Sequence, residues 1–458
     1  MRNKNVDMLN GPLLGSVITY TIPIILTGIL QLLFNAADLI IVGRFCGSTS
    51  VAAVGATGSL INLLVNLFMG LSVGAGITTA HAIGAKNDKL ISRTVHTAIP
   101  TAIICGVFLT VFGVVFAEKI LALMATPEAI IELSAVYVRI YFAGILPILL
   151  YNFGAAILRA AGDTRSPLIF LTISGVINVL LNVVFVTLIK LDVAGVALAT
   201  TISQFIACIL VILTLMRRTD ACRLEIKKLR IYSDSLKRIL RMGIPAGIQS
   251  SCFALSNVLI QSSLNSFGAV VVSGASAAGN IEGFVYVTMN AFQQTALNFT
   301  GQNSGAGNYK RVKSVIKVCL VSVSAVGVIL GGLVFLFAKP LLSIYITDSS
   351  EAIRWGILRM SYVCLPYFLC GIMDVSSGAM RGIGAALTPM IITLLGACGF
   401  RVLWIYTVFR IEKLHTLPVL YISYPISWAL TFIALMTTFT IIYKRRIKKL
   451  QSQKENKS

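Results

Sequence analysis

Charge is what this chain has least of. Only 12% of its 458 residues are Asp, Glu, Lys or Arg, and 17 acids stand against 38 basic residues. A soluble globular chain carries about twice that charged share. With 57% hydrophobic residues and a mean hydropathy of +0.87, an ordinary soluble enzyme is excluded. Catalytic signatures are missing too. There is no Gly-rich phosphate loop followed by Lys-Ser/Thr, no nucleophile elbow and no His pair at metal spacing. His81, His96 and His415 stand alone. An ATP-driven cycle within the chain and an enzymatic role are therefore not expected, and no cofactor is called for. The nine cysteines are scattered through apolar runs without a Cys-x-x-Cys pair, so they read as small buried hydrophobes. The N-terminus shows no short apolar stretch ending in a small-residue cleavage site, so the first apolar segment is expected to stay.

What the chain has instead is apolar runs of about 20 residues, the length that crosses a bilayer as a helix. They are too long and continuous for barrel strands. Twelve spans are expected, at 14–42, 51–80, 94–116, 136–158, 167–189, 194–216, 240–266, 272–300, 314–337, 357–380, 388–409 and 418–443. The fold class is thus an all-α polytopic membrane protein.

The net charge of +21 would suggest nucleic acid in a soluble protein. Here the basic residues sit in alternate loops, so the positive-inside rule accounts for them and no nucleic-acid partner is expected. Arg2 and Lys4, then Lys86, Lys89 and Arg93, then Arg159 and Arg165 fall on one side. The basic linker after Met216, the Lys310-Arg311 loop, Arg381 and the Lys444–Lys449 tail join them. Intervening loops, with Glu118, Glu128, Asp348 and Glu351, carry little net charge. Both termini are expected to be cytoplasmic, with the basic tail on anionic lipid.

The chain also repeats itself. Gly84-Ala-Lys-Asn-Asp-Lys89 returns as Gly305-Ala-Gly-Asn-Tyr-Lys310, Ile22-Pro23 as Ile244-Pro245, and Ile157–Pro167 as Ala379–Pro389, at offsets of 221, 222 and 222. Two six-helix lobes follow, 1–216 and 240–458, joined by a basic cytoplasmic linker at 217–239. Six spans is an even number, so the halves are parallel repeats about an axis along the membrane normal.

Polar residues within spans mark candidate sites. An acid at membrane depth costs roughly 2.5–3.5 kcal/mol unless it faces protein, water or an ion. Asp38 is such an acid, and Gln31, Asn35 and Asp38 share one helix face at i, i+4, i+7. Asn178 and Asn182 share a face of span five, and Thr200 lies on span six. A carboxylate with neutral oxygens suits a proton, because desolvation favours the neutral acid, or Na⁺ held by Asp38, Asn178 and Thr200. Interhelical hydrogen bonding is the plainer use of the same residues. The second half has stripes at Gln249, Asn257, Gln261 and Asn265, and at Asn290, Gln294 and Asn298, with acids at Glu282 and Asp374. Phe34, Tyr151, Tyr286 and Met289 lie near these stripes and would suit the wall of a cavity for amphipathic ligands.

These residues resemble the multidrug and toxic compound extrusion (MATE) family over nearly the whole chain. The resemblance rests on Asn35-Ala-Ala-Asp38, Val42-Gly-Arg-Phe45, Val51-Ala-Ala-Val-Gly55, Gly84-Ala-Lys86, Leu158–Asp163 with Pro167, and Asn178 with Asn182. In the second half it rests on Asn280-Ile-Glu282, Gly301–Ala306 and Met380-Arg-Gly382, pieces similar to the DinF-like branch. It implies a V-shaped pair of six-helix bundles and an antiporter exporting organic cations in exchange for H⁺ or Na⁺. It further implies a monomer in the plasma (inner) membrane. By the same resemblance Asp38 is the first-half carboxylate, with Asn178 and Thr200 beside it, and Asn182 stands where several members carry a second acid. Glu282 matches the branch's second-half acid; Asp374 is a candidate from the residues alone. A flippase for lipid-linked oligosaccharide, of the same superfamily, is the alternative. Such a cavity should be lined by several Arg or Lys, and only Arg139, Arg359 and Arg401 lie near or within spans.

Overall fold

The computed structural model describes residues 5–124, 126–347 and 349–455. Arg2, Lys4 and Asp348 lie outside them. The chain runs through α1 (Leu13–Phe45), α2 (Ser48–Gly84), α3 (Asp88–Leu123), α4 (Glu128–Ala143), α5 (Ile145–Ala160), α6 (Arg165–Val183), α7 (Asp192–Met216) and α8 (Ser233–Asn265). It continues through α9 (Ala269–Gly305), α10 (Tyr309–Leu336), α11 (Ala338–Tyr345), α12 (Ser350–Val363), α13 (Tyr367–Gly382), α14 (Leu387–Thr393), α15 (Phe400–Tyr406) and α16 (Leu417–Glu455). Among the described residues ten helices are long and apolar enough to cross a membrane, and two bent pairs, each taken as one span, bring the number to twelve.

Spans four and ten, expected as single helices, are broken. The axis turns 46° between α4 and α5 and 45° between α12 and α13. At the first break Gly144 packs against Thr201, where an added Cβ would fall 2.3 Å from the hydroxyl oxygen. At the second, Pro366 has no N–H to continue the helical ladder. Two further spans contain π-turns, Val184–Leu188 after α6 and Leu394–Gly399 between α14 and α15.

The sequence repeats have a backbone cause. Gly84-Ala-Lys-Asn forms a tight link from α2 into α3, in which Lys86 takes a left-handed φ of 51° and Asn87 accepts the Leu90 N–H at 3.0 Å. The second copy does the same with Gly307 at φ 70° and Asn308 accepting from the Arg311 N–H at 3.2 Å. Each asparagine satisfies an amide that a helix N-terminus otherwise leaves unpaired. This capping starts α3 at Asp88, earlier than the expected residue 94. Gly162 and Gly384 likewise share φ values of 89° and 86°.

Two compact units result. One comprises Ile22–Ser251 with the chain up to Asp7; the other comprises Met8–Thr21 with Cys252–Ser458. In the first unit, Leu71, Val95, Phe153, Ile157, Val211 and Ile239 form one apolar cluster and Leu60, Leu109, Phe142 and Leu149 another. Helices α2 and α8 touch backbone to backbone there. An added Cβ on Gly70 would sit 2.2 Å from the Gly247 nitrogen, and one on Gly74 2.3 Å from the Ile239 oxygen. Small residues at four-residue spacing permit such approach in membrane helices. In the second unit, Ala278, Ile281, Leu342, Met360 and Cys364 form a core. The Thr21 and Thr295 hydroxyls meet at 2.8 Å in that unit. Outward faces are apolar: Ile40 is 66% exposed and Leu180 61%. That distribution suits lipid rather than water.

The linker is shorter than expected and is docked. Helix α8 begins at Ser233, which leaves 217–232 as the connection. Its Glu225 N–H donates to His96 Nε2 at 3.0 Å, and the His96 Nδ1–H donates to the Ser92 carbonyl at 2.7 Å, so His96 is the neutral Nδ1–H tautomer. The Tyr232 N–H donates to Thr97 Oγ1 at 3.1 Å, and Arg93 pairs with Asp234 at 3.3 Å. Arg218 forks onto Asp220, with Nε donating to Oδ1 at 2.9 Å. Burial of Asp220 opposes its charge, but the Arg218 hydrogen bonds and charge outweigh it and hold the carboxyl below its ordinary value. Burial, aided by the Asp220 charge, pushes the Cys222 thiol up to about 12.

Candidate functional site

Asp38 projects from α1 toward α6 and α7 within the first unit. Asn182 Nδ2 donates to its Oδ1 at 2.5 Å, and Thr200 Oγ1 donates to its Oδ2 at 3.5 Å. Asn178, one turn before Asn182, completes the ring. With its amide nitrogen turned to Asp38 it donates to Oδ1 at 2.9 Å, and its oxygen accepts the Thr200 N–H at 3.3 Å. Turned the other way, its nitrogen donates to Thr200 Oγ1 at 3.3 Å and its oxygen faces Asp38. That second orientation sets two acceptors against each other unless Asp38 carries a proton. Asn178 and Asn182 are both buried, and Asn182 Oδ1 has no hydrogen-bond partner among the described residues.

The group expected from the sequence is Asp38, Asn35, Asn178, Asn182 and Thr200; the structure brings Asp38, Asn178, Asn182 and Thr200 within hydrogen-bonding reach and leaves Asn35 outside. Asn35 and Gln31 are exposed on α1 and are not among the partners of Asp38. Phe34 packs closely on α6: an added Cβ on Gly175 would fall 1.8 Å from its ring. That contact, with Ile41 and Val42 packing on Val186 and Val196, fixes the register of α1 against α6 and α7. Tyr137 packs beside Ile41 and Val42 and was not foreseen; it lies on α4, far from Asp38 in sequence.

The expected cavity residues are dispersed. Tyr151 is buried in a core cluster and donates its hydroxyl to the Pro167 carbonyl at 3.1 Å. Met289 is fully buried against α13, its sulfur close to Gly371. Both serve interhelical packing in this conformation rather than a cavity wall. Asn257 is exposed, and Gln261 is exposed with its amide donating to Asn265 at 3.1 Å. Tyr286 is 45% exposed. Glu282, expected as an acid of the substrate cavity, is forked to Arg359 through two 2.8 Å hydrogen bonds. Asp374 is buried, and its Oδ2 has no hydrogen-bond partner among the described residues.

Ten to twelve apolar spans in two repeated units, with a carboxylate held by neutral side chains, define a membrane carrier. Among the described residues no group of three His, Cys, Asp or Glu could hold a metal ion. The MatE family model matches residues 23–184 and 245–407, one match in each repeat. The chain belongs to the MATE family and is a multi-pass transporter, not an enzyme. It is 28% identical to the probable multidrug resistance protein YoeA of Bacillus subtilis over 94% of each chain. It is 27% identical to the probable multidrug resistance protein NorM of Thermotoga maritima, over 83% of this chain and 82% of that one. Among solved structures, an outward-facing multidrug resistance MATE transporter of the MOP superfamily superposes with a TM-score of 0.91. It has 21% identity and covers 98% of this chain and 100% of its own.

Proposed function

We propose that the chain is a secondary active efflux antiporter. It exports small amphipathic organic cations in exchange for protons, by alternating access of the two repeats. It sits in the inner membrane as a monomer with both termini in the cytoplasm. The observation that carries the reading is the donor ring around Asp38. Two amide N–H groups and a hydroxyl stabilise the carboxylate when it is ionised. When it takes a proton, its charge is lost and one oxygen becomes a donor. The Asn178 amide then turns its oxygen to Asp38 and its nitrogen to Thr200 Oγ1, so a proton is converted into a change of interhelical hydrogen bonding. Pro23, in the same α1, removes one rung of the helical ladder and gives the helix a place to bend. A two-state element of this kind lets proton and substrate bias one equilibrium.

Sodium fits the same residues less well. Na⁺ coordination by Asp38, Asn178 and Thr200 needs oxygens directed inward, and with Asp38 ionised both asparagines present N–H groups to its Oδ1. The test is efflux of a cationic dye such as ethidium from proteoliposomes under separately imposed gradients. A pH gradient alone should drive efflux. A Na⁺ gradient that drives it at equal pH, with no effect of a pH gradient, would refute proton coupling.

A further inference from the structure

The interior of the second unit holds two acids, Glu282 and Asp374, against three arginines, Arg359, Arg381 and Arg401. Glu282 is taken by Arg359. Arg401 on α15 is only 2% exposed, and among the described residues no carboxylate pairs with it. Its Nε donates to Ser427 Oγ at 2.9 Å, while Nη2 is buried with no hydrogen-bond partner among the described residues. The guanidinium lies over the Tyr424 ring at 4.3 Å and near the Trp428 ring at 5.6 Å; Trp428 in turn meets Tyr367 at 5.3 Å. Cation–π contacts offset part of the cost of burying the charge, but not the missing acceptor at Nη2.

The position of this arginine in the repeat is informative. Counted from Pro167 and Pro389, Arg401 corresponds to Val179. The π-turn Leu394–Gly399 uses one extra residue, which brings Arg401 to the helix position that Asn178 holds in the first unit. The first unit has a neutral amide there, bonded to an acid; the second has a permanent cation with one fork of its donor set unused.

We propose that Arg401 is a specificity-determining residue that receives the carboxylate of an aromatic substrate, its plane held by Tyr424 and Ser427. The site opens when the Tyr424 and Trp428 rings part. A guanidinium with a free Nη2 suits a carboxylate oxygen, and the aromatic walls suit the attached ring. Substrates would then include amphoteric aromatic molecules, cationic at one end and carboxylate at the other. This rests on the export reading for the general class of ligand, but not on the coupling ion.

The test compares rhodamine B, which has a free carboxylate, with its ethyl ester, which shares the cationic ring system. Binding of each dye to the full-length protein in detergent is followed by fluorescence anisotropy, with no gradient present. The acid should bind at least tenfold more tightly than the ester. In Arg401→Gln that ratio should fall to near one, and in Arg401→Lys, which keeps charge but loses the planar fork, it should fall partway. Ser427→Ala, a milder change in case Arg401→Gln does not fold, should also reduce the ratio. Equal affinities in the wild type, or an unchanged ratio in Arg401→Gln, would overturn the assignment of Arg401 and leave the export reading standing. Failure of both dyes to bind would overturn both.

Discussion

Asn182 and Asp38 lie 144 positions apart, yet the Asn182 amide donates to the Asp38 carboxylate at 2.5 Å. The shortest polar contact of the acid is therefore to a residue in the last turn of α6, and α1 cannot change its register there without breaking it. Asp38→Asn keeps the shape of the side chain and removes the charge and the titration. The variant should insert and melt like the wild type, while dye efflux driven by a pH gradient is lost. Wild-type efflux from a folded Asp38→Asn protein would remove Asp38 from the coupling step.

The packing that aims Asp38 is equally open to test. Gly175 leaves room for the Phe34 ring, and a methyl group there would overlap ring carbons by a wide margin. Overpacking a close contact costs about 1–3 kcal/mol. Gly175→Ala should lower the melting temperature in detergent and reduce transport, and Phe34→Ala in the same chain should recover part of the stability. A Gly175→Ala protein with unaltered melting would mean that α1 and α6 yield freely at this contact.

Much of this was legible in the sequence because membrane spans and tight helix links leave local marks. The repeats at Gly84–Lys89 and Gly305–Lys310 are visible because a left-handed residue and a capping asparagine are needed at each link, and few residue types supply them. The Asp38 group was legible because i, i+4 polar pairs within apolar helices are costly unless they meet something. Pairings across helices leave no such mark. Glu282 and Arg359 are 77 positions apart, and only the structure joins them. Tyr151 and Met289 pack inward in this conformation, and a large side chain near a polar stripe reads the same from sequence whether it packs inward or lines a void.

The Glu282–Arg359 pair gives a third expectation. Removing one partner of a buried ion pair costs about 3–5 kcal/mol because the other charge is left unpaired. Glu282→Gln and Arg359→Gln should each destabilise strongly, and the double variant should be more stable than either. Dye affinity should recover in the double variant along with stability. If stability returns but cation binding does not, Glu282 contacts the substrate directly and its bond to Arg359 is secondary.

The docked linker provides the last expectation. Cys222 is buried and its thiol is pushed up to about 12, so at neutral pH it should react slowly with a maleimide in a background without the other cysteines. The Arg218–Asp220 fork and the Glu225–His96 hydrogen bond hold the segment that carries it. Asp220→Asn and His96→Ala should each speed labelling several-fold, by letting the segment lift and by weakening the contacts that keep the thiol neutral. The direction with pH follows from the depressed Asp220 carboxyl. Its stabilising effect is fully present above the ordinary carboxylate value of 3.8 and is lost as pH falls through its lower value in the docked state. Between pH 5 and pH 8 Asp220 should therefore contribute no pH dependence to docking. Undocking through this residue should begin only in strong acid, and it can be followed by proteolysis of the 217–232 segment with an acid-active protease. Cleavage that rises already between pH 7 and pH 5 in wild type and Asp220→Asn alike would place the latch on another group.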